Sequence, residues 1–271
     1  MGVGLLFDSS LDRFLEEEGD SPGALWFFQH IPKTAGSSFR GELAQRLHPS
    51  KNLAADYKQG EETLQAQREA VLQEFIEEAG AGKYRFASGH VQHPSVVRIV
   101  EARPNTRVVT MLRDPVQRLI SDYRYQLTEL HPPHAEFRRR FPTFDDYARH
   151  PASQNKMYRF LMARPREPVG SVIRRMTDNY SFVGLQEKYT LSFRLMSLLL
   201  GDAAERPSLH ARKTPSTADN ALDPYALPIA TLRDLNHLDQ AIYDHFRTQF
   251  DGRRRAIREA LRAVHHRRLG A

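Results

Sequence analysis

Hydrophobic positions along the chain fall into short continuous runs separated by stripes at helical spacing. Apolar, β-rich runs occur at Trp26–Ile31, Tyr84–Ala87, Arg107–Leu112 and Phe182–Leu185. Between them Phe39, Leu43 and Leu47 recur four apart, and Leu64, Val71, Leu72, Phe75 and Ile76 form a second stripe. Val116, Leu119, Ile120 and Tyr123 make a third, in the i, i+3, i+4, i+7 pattern of an amphipathic helix. Strands alternating with helices predict an α/β fold, a central parallel sheet flanked by helices, with ligands beyond the carboxyl ends of the strands. The second half reads as mostly helical, from the apolar segment Leu191–Leu200, closed by Gly201, to Ile229–Phe250. From Leu127 to His150, three prolines and a basic triplet predict a long loop leading into a short helix. No linker divides the 271 residues, so a single domain over 1–271 is expected, with 1–25 an N-terminal extension and 251–271 a basic C-terminal helix.

Composition narrows the field. A 40% hydrophobic content is enough for a sizeable core. A net charge of +6 and a pI near 9.6 suit an acidic partner: a nucleotide, a charged glycan, nucleic acid or an anionic membrane. Zero cysteines exclude disulfides, thiolate metal sites and cysteine nucleophiles. A cytoplasmic location is expected, because residues 1–25 carry Glu16, Glu17, Glu18 and Asp20 with no basic n-region, and no apolar stretch approaches the length of a membrane span.

Two segments carry chemistry. In Phe27-Phe28-Gln29-His30-Ile31-Pro32-Lys33-Thr34-Ala35-Gly36-Ser37-Ser38-Phe39 an apolar run stops at a Pro-Lys turn and restarts as a helix. Such a turn aims unpaired N–H groups and the positive end of the helix dipole at an anion. Lys33 adds a charge, and Thr34, Ser37 and Ser38 add hydroxyls. The G-x-x-x-x-G-K-[ST] spacing of nucleoside triphosphatases is absent, since Gly36 follows the lysine. The second segment, Val108 to Tyr125, is again a strand feeding a helix, with Asp114 as N-cap and Pro115 at the first helical position. Arg113 leaves the strand end, and Ser121, two turns into the helix, can face the same cleft, so a guanidinium fork and a hydroxyl offer a second phosphate site.

Two strand-end anion sites on one sheet imply a ligand with two separated anionic groups, and here the sequence becomes recognisable. It resembles the carbohydrate sulfotransferases that use 3′-phosphoadenosine 5′-phosphosulfate (PAPS), in particular relatives of the heparan sulfate 2-O-sulfotransferases. Pro32 to Phe39 matches the family's P-K-T-A-x-[ST]-[ST]-F loop, and Arg113 to Ser121 its R-D-P-x-x-R-x-x-S segment. Lys83 to Val91 resembles the aromatic strand ending in H-G-H-V, with His90 as the second histidine and Ser88 in place of the first. Ser208 to Thr214 resembles a late basic loop, Tyr180 to Glu187 the last strand, and Phe137 to Asp145 part of the acceptor surface.

The resemblance implies a P-loop-like 5′-phosphosulfate turn built from Lys33, Thr34, Ala35, Gly36, Ser37 and Ser38. It places the 3′-phosphate on Arg113 and Ser121 and closes Arg212, Lys213 and Thr214 over the donor. Lys33 would stabilise charge on the bridging oxygen and His90 would act as base, with no metal required. His93 is a weaker alternative base, or simply the start of the next helix. His30 either lines the acceptor cleft or packs on Phe28, and Arg139 either reads an acidic group on the acceptor or belongs to a solvated loop. The expected partner is a small-molecule or glycan acceptor, with no nucleic acid and no integral membrane segment. Two other functions compete: a small-molecule kinase using the same cradle, and a non-enzymatic nucleotide- or polyanion-binding module.

Overall fold

The computed structural model describes residues 2–54, 61–131, 133–202, 206–208 and 228–269. The strands are β1 (Leu25–Gln29), β2 (Ser50–Leu53), β3 (Phe86–Gly89), β4 (Thr106–Leu112) and β5 (Phe182–Leu185). All neighbours are parallel, in the order β2-β3-β1-β4-β5. Helices α1 (Gly4–Asp8) and α2 (Leu11–Glu18) precede β1, and α3 (Gly36–Arg46) follows it. α4 (Glu61–Gly80) and α5 (His93–Ala102) flank β3, and α6 (Pro115–Gln126) leaves β4. α7 (His134–Arg140), α8 (Phe144–Arg149), α9 (Lys156–Leu161) and α10 (Val169–Asn179) lead to β5; α11 (Tyr189–Leu199), α12 (Ile229–Leu235) and α13 (His237–Leu269) follow it.

The apolar runs became strands because a central parallel strand is covered on both faces and must be apolar throughout. Every residue of the central β1 is buried, and so is every residue of β5, although it forms the other edge of the sheet. The edge strand β2 was missed for the converse reason: Ser50, Lys51 and Asn52 remain partly or fully exposed, so no apolar run marks it. Asn52 instead accepts a hydrogen bond from Ser88 on β3 at 2.9 Å. β3 also lies two residues later than its apolar run suggests.

One expectation needs correction. The stretch from Leu127 to His150 is not mainly loop, because α7 and α8 turn Phe137, Phe141, Phe144 and Tyr147 onto Tyr123 and Leu119 of α6, forming a second apolar cluster. A reciprocal capping box between Thr143 and Asp146 starts α8. Both end segments pack on the core. Val3, Leu6 and Phe14 are buried in the main cluster, and Arg253 donates to the carbonyls of Phe7 and Ser9. Residue 251 falls inside α13, whose Phe250, Ile257 and Leu261 are buried while Arg254, Arg255 and Arg258 face out. Among the described residues no helix is long and apolar enough to cross a membrane.

Candidate active site

Strand register gathers the candidate residues. Gln29 pairs with Gly89 on one side and Thr110 on the other, so His30, His90 and Arg113 emerge at one edge of the sheet. After His30 the chain turns into α3 through Lys33 and Ala35, both left-handed at φ 70° and 66°. Such conformations cost a non-glycine residue on the order of 1–3 kcal/mol and concentrate where a ligand is gripped. Ala35 is the N-cap of α3 and offers no capping side chain. The N–H groups of Gly36, Ser37 and Ser38 therefore remain for an anion. Thr34 is fully buried and donates its hydroxyl to the Ile31 carbonyl at 2.9 Å, which holds the turn and leaves only its backbone N–H for a ligand.

Arg113 reaches the same turn. Its Nη1 donates to the carbonyl of Lys33 at 3.1 Å, while its Nε is buried with no partner. Glu187 stands behind it, accepting from the Asp114 N–H at 2.9 Å and the Tyr243 hydroxyl at 3.0 Å. The predicted cap is present, with the Asp114 side chain accepting from the Gln117 N–H. Ser121 is half-buried one turn before Tyr125, whose ring lies 3.9 Å below the Lys33 ammonium. Burial lowers the Lys33 pKa to about 8, against the pull of Asp122 and with the repulsion of Arg113 and Lys156.

Behind Tyr125 lies an ionic network that sequence reading missed. Arg118, the second arginine of the R-D-P-x-x-R segment, is fully buried between Asp122 at 3.2 Å and Asp239 at 3.8 Å, and donates to the Ser153 carbonyl. Asp122 also takes Lys156 at 2.6 Å and the Tyr147 hydroxyl at 2.9 Å. Burial alone would raise the Asp122 carboxyl, but Lys156 and Arg118 hold it down at about 2. An unpaired charge there would cost several kcal/mol, so these groups fix α6 to α9 and α13 as a unit.

On the other side of β1, His90 donates Nδ1–H to the His30 carbonyl at 2.7 Å. A carbonyl can only accept, so this bond fixes the tautomer and leaves the Nε2 lone pair free. His90 reaches solvent. Desolvation in the cleft lowers its pKa below 6.5, its bond to the His30 carbonyl opposes this, and Arg68 and Arg40 add to the fall. Gln29, fully buried, donates to the carbonyls of Val91 and Phe160 and so pins the segment after His90. The His30 ring stacks on Phe28 at 5.2 Å, which is its packing reading, and lies 4.1 Å from the His90 ring.

Gly36 owes its identity to that ring, because a Cβ there would overlap the His30 imidazole. Gly36→Ala is expected to destabilise the protein by about 1–3 kcal/mol and to push His30 against His90. Turnover should fall more than donor affinity. Thermal unfolding read beside single-turnover rates checks this, and unchanged values of both would contradict it.

No protein-family model matches the chain, and no curated protein matches it. Among solved structures it is similar to a sulfotransferase from Alicyclobacillus acidocaldarius, with 15% identity, 83% of this chain and 96% of that one covered, and a TM-score of 0.40. It is also similar to mouse sulfotransferase SULT7A1 complexed with PAP, with 12% identity, coverage of 88% and 94%, and a TM-score of 0.42. Likenesses this loose add no weight to an assignment, which has to stand on the cleft itself.

The remaining predicted residues fall elsewhere. His93 begins α5, is buried, and its Nδ1 lies 3.4 Å from the Tyr180 hydroxyl, which in turn donates to Gln29 at 2.6 Å. Burial, with Arg175 nearby, lowers its pKa to about 4. In that place its ring stacks on Tyr180. Arg139 is exposed on α7, and nothing in its position ties it to the cleft. Arg212, Lys213 and Thr214 lie outside the described residues. Asp122, Lys156 and Gln29 are residues beside the cleft that sequence reading passed over, and Tyr125 reads from sequence as a packing residue; only the i, i+4 spacing of Ser121 and Tyr125 could have signalled its place.

Proposed function

We propose that this protein is a cytoplasmic, single-domain sulfotransferase that takes a sulfuryl group from PAPS and passes it to a hydroxyl of a saccharide or glycosylated small molecule. One observation carries the reading: the Arg113 guanidinium bonds the carbonyl of Lys33, so cations from the carboxyl ends of β4 and β1 serve a single cleft. A donor with phosphates at two positions suits this set. The open N-terminus of α3 and Lys33 would take the 5′-phosphosulfate, and the orphaned Nε of Arg113, with Ser121, the 3′-phosphate.

The chemistry follows from what these groups hold. Sulfuryl transfer resembles phosphoryl transfer in needing in-line attack and stabilisation of charge on the leaving oxygen. Lys33 and the first-turn amides of α3 supply that charge from fixed positions. His90, neutral near pH 7 and with Nε2 unprotonated, accepts the proton of the attacking hydroxyl. Its Nδ1–H stays on the His30 carbonyl, so the ring keeps its aim as Nε2 becomes charged.

A thermal-shift comparison of adenosine 3′,5′-bisphosphate, Mg-ATP and a polyanion tests the class. At 100 times its dissociation constant the bisphosphate should add about 2.7 kcal/mol. Arg113→Ala should weaken it by about 10–100-fold, the loss of charge-assisted bonds worth about 1.5–3 kcal/mol. A shift selective for Mg-ATP would restore the kinase reading, and steeply salt-dependent polyanion binding without any bisphosphate response would leave a binding module.

A further inference from the structure

Lys33 is held in an unusual way for a lysine that meets a phosphate. Among the described residues its ammonium makes no ion pair, and it rests on the face of Tyr125 at 3.9 Å from the ring centroid. Tyr125 is itself fixed: its hydroxyl donates to the Leu130 carbonyl at 3.3 Å and its ring packs against His131 at 5.9 Å. The Lys33 carbonyl is tied to Arg113 on the opposite side, so both ends of the residue are constrained.

We infer that Tyr125 is a positioning residue, whose ring keeps the Lys33 ammonium charged and aimed at the anion cradle until the donor's phosphate takes it over. The inference rests on the sulfotransferase reading and adds a residue to it. A carboxylate in the same place would also hold the lysine, but it would repel the incoming phosphate. An aromatic face attracts a cation through its quadrupole and carries no net charge to compete. The other groups facing Lys33 do not do this work. Asp122 of α6 attracts it but is already engaged by Arg118 and Lys156. Arg113 at the end of β4 and Lys156 of α9 repel it, as do His131 after α6 and His30 after β1 whenever they are protonated.

The test is the pH dependence of adenosine 3′,5′-bisphosphate affinity, measured by calorimetry for the wild type, Tyr125→Phe and Tyr125→Leu. Affinity should start to fall as pH rises through the free-enzyme pKa of Lys33, near 8 in the wild type. Loss of the ring face should move that break down by about one pH unit. Tyr125→Leu should then bind about fivefold more weakly at pH 8 and equally at pH 6, while Tyr125→Phe keeps the wild-type profile. Equal breaks in all three proteins, or a shift in Tyr125→Phe as large as in Tyr125→Leu, would overturn the role of the ring and leave the sulfotransferase reading standing. Absence of bisphosphate binding by the wild type at every pH would remove the reading itself.

Discussion

Lys33→Ala is expected to lower turnover by about 10²–10³-fold, the usual effect of removing one preorganised group that stabilises transition-state charge. Little else should change. Lys33 is half-buried, its side chain touches the Tyr125 ring, and its left-handed backbone is no easier for lysine than for alanine. The amides of α3 and the Arg113 guanidinium remain, so bisphosphate affinity should fall much less than the rate. The decisive measurement is a single-turnover rate at saturating donor, with melting temperature as the control for folding. A rate within about threefold of wild type would dismiss Lys33 as the group on the bridging oxygen. Because free Lys33 acts as a cation with a pKa near 8, wild-type kcat/KM for the donor should decline as pH rises through that value.

His90→Ala should cost about 10²–10⁴-fold, the range for a positioned general base. The prediction draws on two features together. Donation of Nδ1–H to the His30 carbonyl leaves Nε2 as the free nitrogen, and desolvation lowers the pKa below 6.5, so the ring is neutral at pH 7. The sign of the pH effect follows: a base works unprotonated, and activity should fall as pH drops through that lowered value. With Lys33 the wild-type kcat/KM profile becomes a bell, its acid limb below 6.5 and its alkaline limb near 8. His90→Ala should flatten the acid limb, keep the alkaline one and bind bisphosphate normally. If the acid limb survives in the variant, the base is another group.

Continuous apolar runs gave away the central strands, because a strand covered by helices on both faces has no polar side to interrupt the pattern. The start of α6 was equally legible, since Asp114 and Pro115 specify a helix terminus through bonds three residues long. So were Lys33 and Arg113, whose charge stands just past a strand end where a parallel sheet binds its ligands. What stayed hidden was decided between residues far apart in sequence. The exposed edge strand β2 pairs only because β3 offers it a partner, and α7 and α8 form where their aromatics find α6. The ring of His30 dictates a glycine at position 36, and the carbonyl of His30 chooses the tautomer of His90. Tyr125 and the buried Arg118–Asp122–Lys156 group reveal their purpose only once α6 and α9 are packed together. Local pattern determines which segments become strands and helices, because backbone bonding and burial are periodic; tautomers, pKa values and cation–ring contacts follow from neighbours that only the tertiary fold supplies.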